Sequence, residues 1–222
     1  MQTKVPANRS RGRTNLSFVL FLFWLLIPVQ ASAGMFSPQG GTAELTPDGR
    51  VLNTEALMKH CAPRVAMSTM DKLAFVESRW NAYAININYR GWRLERQPRS
   101  KDEAIVTLKH LLDQYGKLPK FSLDVGAGQV NTNNVERLGL SLPQLFDVCT
   151  NLRAAQTILV DCYLRARTRW PNEQTALAAS LSCYNTGNFS GGFRNGYVHK
   201  VYRAPVSRPK GGTTPGWLPD QL

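Results

Sequence analysis

Met70-Asp71-Lys72-Leu73-Ala74-Phe75-Val76-Glu77-Ser78 is the stretch on which the reading of this chain turns. Met70, Leu73 and Ala74 precede Glu77 by seven, four and three residues, the spacing of one apolar helix face. A carboxyl on that face points inward. Burial disfavours its charged form and raises its pKa, so Glu77 is placed to hold a proton near neutral pH and pass it to a leaving group. The bland alternative is a Glu at a helix end paired with Arg79.

Outward from this segment the pattern remains mostly helical. A short helix is expected over 55–61, and Ser68 with Asp71 reads as a capping box opening the Glu77 helix. Ala84-Ile85-Asn86-Ile87-Asn88 alternates apolar and polar, Arg90-Gly91 gives a turn, and 92–97 is expected to return as the second strand of a hairpin. Ser100 opens a helix with Asp102 and Glu103 in its first turn and Ala104, Leu108, Leu111 and Leu112 as its stripe, ending at Tyr115-Gly116. A glycine-bearing loop covers 118–129. Further helices are expected over 132–138, 143–146, 151–167 and 172–184. The sum is a mainly α domain with one small β element and no internal repeat.

The first 15 residues hold Lys4, Arg9, Arg11 and Arg13 with no acid, followed by the almost wholly apolar run 16–29 and then Ala31-Ser32-Ala33. Fourteen apolar residues are short of the roughly 20 a membrane span needs, so this reads as a secretory signal peptide cut after Ala33 rather than an anchor. The expected organisation is a signal peptide over 1–33, a flexible lead-in over 34–54, a domain over 55–203 and a flexible tail over 204–222. Export places the protein in the periplasm.

The formal charge of +12 falls to +8 without the four leader cations. A basic exported protein suits an anionic partner such as peptidoglycan peptides or lipid headgroups. Nucleic acid is disfavoured, since no basic run is interleaved with stacking aromatics. His60, His110 and His199 lie far apart and outside any motif, and surface or structural roles are expected of them. No metal, phosphate-loop or nucleophilic-serine motif appears, and no cofactor is implied.

Cys61, Cys149, Cys162 and Cys183 form an even set in an exported chain, which reads as two disulfides. Their spacing does not suit zinc. Three pairings are possible. Cys162 extends the stripe Leu152, Ala155, Leu159, and Cys183 extends Ala176 and Ala179 on the next helix. Adjacent antiparallel helices favour joining those two, leaving Cys61 with Cys149.

Beside Glu77 stand two other segments: Asp124-Val125-Gly126-Ala127-Gly128-Gln129-Val130-Asn131 and Cys183-Tyr184-Asn185-Thr186-Gly187. A glycosidase needs a proton donor beside the glycosidic oxygen. Amides suit sugar hydroxyl and N-acetyl groups, and glycines let the main chain approach a ring. Tyr184 is expected to present its hydroxyl to the Glu77 carboxyl. Singly, each piece has a plain structural explanation as turn, core or helix end.

In order, these segments resemble the lytic transglycosylases of the goose-lysozyme-like (SLT) fold, in the subfamily associated with type IV secretion and conjugative transfer. The resemblance also takes in Asn133-Asn134, Leu138-Gly139, Phe146-Asp147, Asn151-Leu152 and Asn195-Gly196-Tyr197-Val198, and covers about residues 57–202. It implies a lysozyme-like α+β domain acting on peptidoglycan glycan strands, with envelope components of a secretion or conjugation apparatus as partners. Glu77 would be the single catalytic acid and base, cleaving between N-acetylmuramic acid and N-acetylglucosamine and leaving a 1,6-anhydro end. Ser78, Gln129, Asn131, Tyr184 and Asn185 would line the cleft or position Glu77. Cys61 and Cys149 match cysteine positions of the subfamily. Where the family has Gly-Leu-Met-Gln this chain has Gly126-Ala127-Gly128-Gln129, so a Met contact with sugar is missing. The rivals are a lysozyme-type hydrolase in which Asp124 activates water and a non-catalytic wall-binding protein on the same fold.

Overall fold

The computed structural model describes residues 42–206. The expected leader, the first part of the lead-in and the end of the tail lie outside the described residues. From Thr42 the chain is already folded, although its composition predicts a flexible lead-in. Residues 42–53 close a tight turn, with bridges from Leu45 to Val51 and from Arg50 to Asn81, and Val51 is buried.

Among the described residues seven α-helices and three short strands follow, in the order α1 (Thr54–Cys61), α2 (Met67–Ser78), β1 (Ile85–Ile87), α3 (Lys101–Tyr115), β2 (Leu123–Val125), β3 (Val130–Asn131), α4 (Val148–Arg167), α5 (Glu173–Thr186), α6 (Gly191–Arg194) and α7 (Tyr197–Arg203). α2 runs through the core, with Met70, Leu73 and Ala74 fully buried. The expected capping box at its start does not form. The helix begins at Met67 with no side-chain cap, and Asp71 is buried, accepting from Trp80 Nε1–H at 2.8 Å. Tertiary packing has claimed the acid that local sequence assigned to the helix end.

At Ser100 local chemistry is unopposed and the helix opens as the sequence predicts. Ser100 accepts the Glu103 N–H and Asn172 that of Thr175, opening α3 and α5. Asp147 accepts the Thr150 N–H, so α4 starts at Val148, three residues earlier than periodicity indicated. The helices expected over 132–138 and 143–146 are 3₁₀ turns, Thr132–Asn134 and Leu142–Phe146.

The hairpin is the main correction. Residues 92–97 form no strand. The Gln97 side chain takes that place, its amide accepting from Ile85 N–H at 2.8 Å and donating to Ile85 O at 3.0 Å. On its other edge β1 pairs antiparallel with β2, Ile85 opposite Val125 and Ile87 opposite Leu123, and β2 pairs with β3, Asp124 opposite Asn131. The glycine-bearing segment read as loop therefore supplies β2, and β3 follows directly after it. Side chains alternate across a strand, so Ile85, Ile87, Leu123, Val125 and Val130 enter the core while Asn86, Asp124 and Asn131 form a polar row on the opposite face.

Cys61 is bonded to Cys149, joining α1 to α4, and Cys162 to Cys183, joining α4 to α5. This is the pairing that the helix stripes favour.

Candidate active site

α2 ends at the floor of a cleft of about 410 Å³. Glu77 opens into it, with Asp124, Gln129 and Asn131 from the sheet side and Tyr184 and Asn185 from the end of α5. Arg79 does not pair with Glu77. The helix ends at Arg79 in a left-handed conformation (φ 52°), and its guanidinium lies over the Phe75 ring, 5.1 Å from the centroid. The partner of Glu77 is Tyr197 on α7, whose hydroxyl donates to Glu77 Oε1.

The half-buried Glu77 has its pKa pushed up from 4.5 to about 7. Burial is the main cause. The Tyr197 hydrogen bond favours the carboxylate and opposes the rise, while the nearby negative charge of Asp124 adds to it. Asp124 is itself raised by burial and drawn back by the amides of Asn88, Asn131 and Asn86. Its shortest bond is from Asn131 Nδ2–H at 2.7 Å. The site thus holds a carboxyl able to stay protonated near neutral pH and a second acid bound into a belt of amides.

Tyr184 departs from expectation. Its hydroxyl donates to Gly128 O at 2.6 Å, not to Glu77, because the glycine loop brings that carbonyl within its reach. Ser78 is not among the residues lining the cleft. Its hydroxyl donates to Ala127 O at 2.8 Å and accepts from Asn81 N–H at 3.1 Å, tying the end of α2 to the same loop. Asn185 lines the cleft and accepts from Asn195 Nδ2–H at 2.8 Å. Gln129, left-handed at φ 50°, donates to Gly126 O at 2.9 Å.

The loop itself is clasped by Asn151 of α4, which is buried with every polar atom engaged. It accepts from Gly128 N–H at 2.7 Å and donates to Val125 O and Leu145 O, both at 2.8 Å. This clasp explains the glycines. A Cβ at Gly126 would stand 2.3 Å from Asn151 Nδ2, and one at Gly128 would stand 2.7 Å from Ala155 Cβ. With this backbone a Met side chain has no room at 128, and Ala127 is buried.

Tyr197 stands in the segment Asn195-Gly196-Tyr197-Val198, to which the sequence by itself assigns no role at Glu77. The available signal was a Tyr on a helical apolar stripe with Val198 and Val201, all three buried. The cleft also holds Arg137, Asp161 and Arg165, which no motif had marked.

A mainly helical domain with a half-buried glutamate at a helix end, facing a three-stranded antiparallel sheet across a polar cleft, defines a lysozyme-like architecture. The chain belongs to the transglycosylase SLT domain family, whose model matches residues 55–202. It is 44% identical over 151 residues to the type IV secretion system protein virB1 of Brucella suis biovar 1 (strain 1330), covering 65% of this chain and 60% of that protein. Against protein virB1 of Rhizobium radiobacter it is 40% identical over 149 residues, 67% of this chain and 59% of that one. Against protein virB1 of Agrobacterium fabrum (strain C58 / ATCC 33970) the identity is 38% over 146 residues, 66% and 56%. The chain thus spans about three fifths of the length of these curated relatives. No solved structure matches it.

Proposed function

We propose that this protein is an exported peptidoglycan lytic transglycosylase that opens the cell wall for a type IV secretion or conjugation apparatus. The observation that carries the reading is Glu77, a carboxyl pushed up to about 7 in a polar cleft, with the Tyr197 hydroxyl as its hydrogen-bond partner. Protonated, it donates to the glycosidic oxygen between N-acetylmuramic acid and N-acetylglucosamine as the C–O bond breaks. The resulting carboxylate accepts the proton of the muramoyl 6-hydroxyl as that oxygen attacks the anomeric carbon. The 1,6-anhydro ring closes, Glu77 is protonated again, and no water is consumed. The substrate N-acetyl group assists at the anomeric carbon, so a second catalytic carboxylate is not required.

Gln129, Asn131 and Asn185 line the path of the strand with amide donors and acceptors. Tyr197 holds the Glu77 carboxyl, and Ser78, Tyr184 and Asn151 hold the loop it faces. The catalytic domain is assigned to residues 55–203. The leader 1–33, cleaved after Ala33, directs the protein to the periplasm, and two disulfides accord with that compartment. Among the described residues no helix is long and apolar enough to cross a membrane. Association with the secretion apparatus rests on the names of the relatives.

Asp124 favours a second reading. A half-buried acid in the same cleft is placed to activate water, which would make the protein a hydrolase. The products separate the two readings. Incubation with purified sacculi and mass spectrometry of the released muropeptides yields anhydro ends for the transglycosylase and reducing ends for the hydrolase.

A further inference from the structure

Two tight turns at one end of the cleft carry cations where turn chemistry favours Asn or Gly. Tyr89–Trp92 is closed by Trp92 N–H to Tyr89 O at 2.8 Å, and its central residues Arg90 and Gly91 both have positive φ, 48° and 75°, the signs of a type I′ turn. Leu118–Phe121 is closed by Phe121 N–H to Leu118 O at 3.1 Å, with Pro119 and then Lys120 at φ 64°, a type II turn whose third position suits Gly. In both turns a long cationic side chain stands where backbone energy disfavours it. Strain of this kind, at two places facing one cavity, points to use rather than to folding.

The cavity between the turns, about 350 Å³, is lined by Asn88, Tyr89, Arg90, Pro119 and Lys120. Arg90 lies over the Tyr89 ring, 5.1 Å from its centroid. Among the described residues neither Arg90 nor Lys120 forms an ion pair. Asn88 lines both this cavity and the cleft that holds Glu77, so a strand lying in the cleft continues toward the two cations.

The geometry points to an anion site in this cavity that takes a free carboxylate of the stem peptide borne by the same glycan strand, a few sugars away from the bond at Glu77. The inference rests on peptidoglycan as substrate. A concave cavity continuous with the cleft fits a side branch of the bound strand better than the flat surface of an anionic membrane. Two exposed charge contacts, each worth up to a factor of about five, set the scale of the effect.

The test compares the wild type with the Arg90→Asn/Lys120→Gly double variant on intact sacculi and on sacculi whose stem-peptide carboxylates have been capped as amides by carbodiimide coupling. Both replacements suit a left-handed turn, so the variant folds and melts at or above the wild-type temperature. The expected result is a KM on intact sacculi raised about fivefold at low salt with kcat unchanged. On capped sacculi the variant matches the wild type. The difference closes near 0.5 M salt, where the screening length is roughly 4 Å. Arg90→Lys/Lys120→Arg, which keeps both charges, retains the preference for intact sacculi. An equal change on both substrates, or none on either, overturns the proposal. Co-sedimentation with the two kinds of sacculi reads the same preference without any bond being cleaved, so failure of the proposed reaction is distinguishable from failure of the site. Loss of binding to phosphatidylglycerol vesicles with an unaltered preference between sacculi assigns the turns to a membrane and overturns it equally.

Discussion

The hydroxyl of Tyr197 donates to the carboxyl of Glu77 across 120 residues of chain, coupling the end of α2 to the start of α7. A donated hydrogen bond stabilises the carboxylate, so it holds the acid below the pKa that burial alone would impose. The same bond fixes which way the carboxyl faces. Tyr197 thereby trades some proton affinity for orientation.

This sets the pH dependence. Activity should fall as pH rises through about 7, where Glu77 ionises. Tyr197→Phe removes the bond that favours the charged form, so the high-pH limb moves upward, while looser positioning lowers kcat about tenfold. Tyr184→Phe leaves the limb in place, because its hydroxyl bonds Gly128 O, and costs about 1 kcal/mol of stability instead. A kcat–pH profile of the two variants checks this. A shifted limb in Tyr184→Phe with none in Tyr197→Phe contradicts the arrangement.

Asp124→Asn removes a negative charge that raises Glu77. The limb should therefore move downward, opposite to Tyr197→Phe, with anhydro products still formed. Loss of all turnover with the fold intact would instead make Asp124 part of the chemistry, as the hydrolase reading requires.

Stability carries the same sign. The folded pKa of Glu77 lies above its ordinary value of 4.5, so ionisation costs the native state progressively as pH rises from 4.5 to about 7. At about 1.4 kcal/mol per pH unit the cost reaches at most about 3.5 kcal/mol. Glu77→Gln, which cannot ionise, should gain in melting temperature over the wild type at pH 8 and lose that advantage at pH 4. Thermal melts at the two values decide it.

Much of this was legible in the sequence wherever one local signal acted alone. The α3 cap and the apolar face beneath Glu77 follow from residues a few positions apart. The hairpin and the tyrosine did not. Alternation at 84–88 marked a strand correctly, but its partner was chosen by nearness, whereas β2 lies 35 residues beyond and Gln97's side chain closes the near edge. Tyr184 was given the Glu77 carboxyl because it sits in a motif. Which of two tyrosines reaches that carboxyl depends on how α7 packs against α2, a relation that periodicity cannot express.

The disulfides differ in what they restrain. Cys61–Cys149 closes 88 residues and Cys162–Cys183 closes 21. Loop-closure entropy assigns them about 4.5 and about 3.5 kcal/mol. Replacing Cys61 and Cys149 together by Ala should lower the denaturant midpoint more than replacing Cys162 and Cys183. The reverse order would place the larger share of stability in the cleft wall that α4 and α5 form.

The most direct test of the account is the digestion of purified sacculi by the wild type and by Glu77→Gln, with the released muropeptides read by mass spectrometry. Glu77→Gln keeps the shape and hydrogen bonding of the side chain and removes only the transferable proton. The account predicts 1,6-anhydro ends from the wild type and at least a 10²- to 10⁴-fold loss, roughly, in Glu77→Gln, with binding to sacculi retained. Release by Glu77→Gln near the wild-type rate, or reducing ends in place of anhydro ends from the wild type, would contradict it.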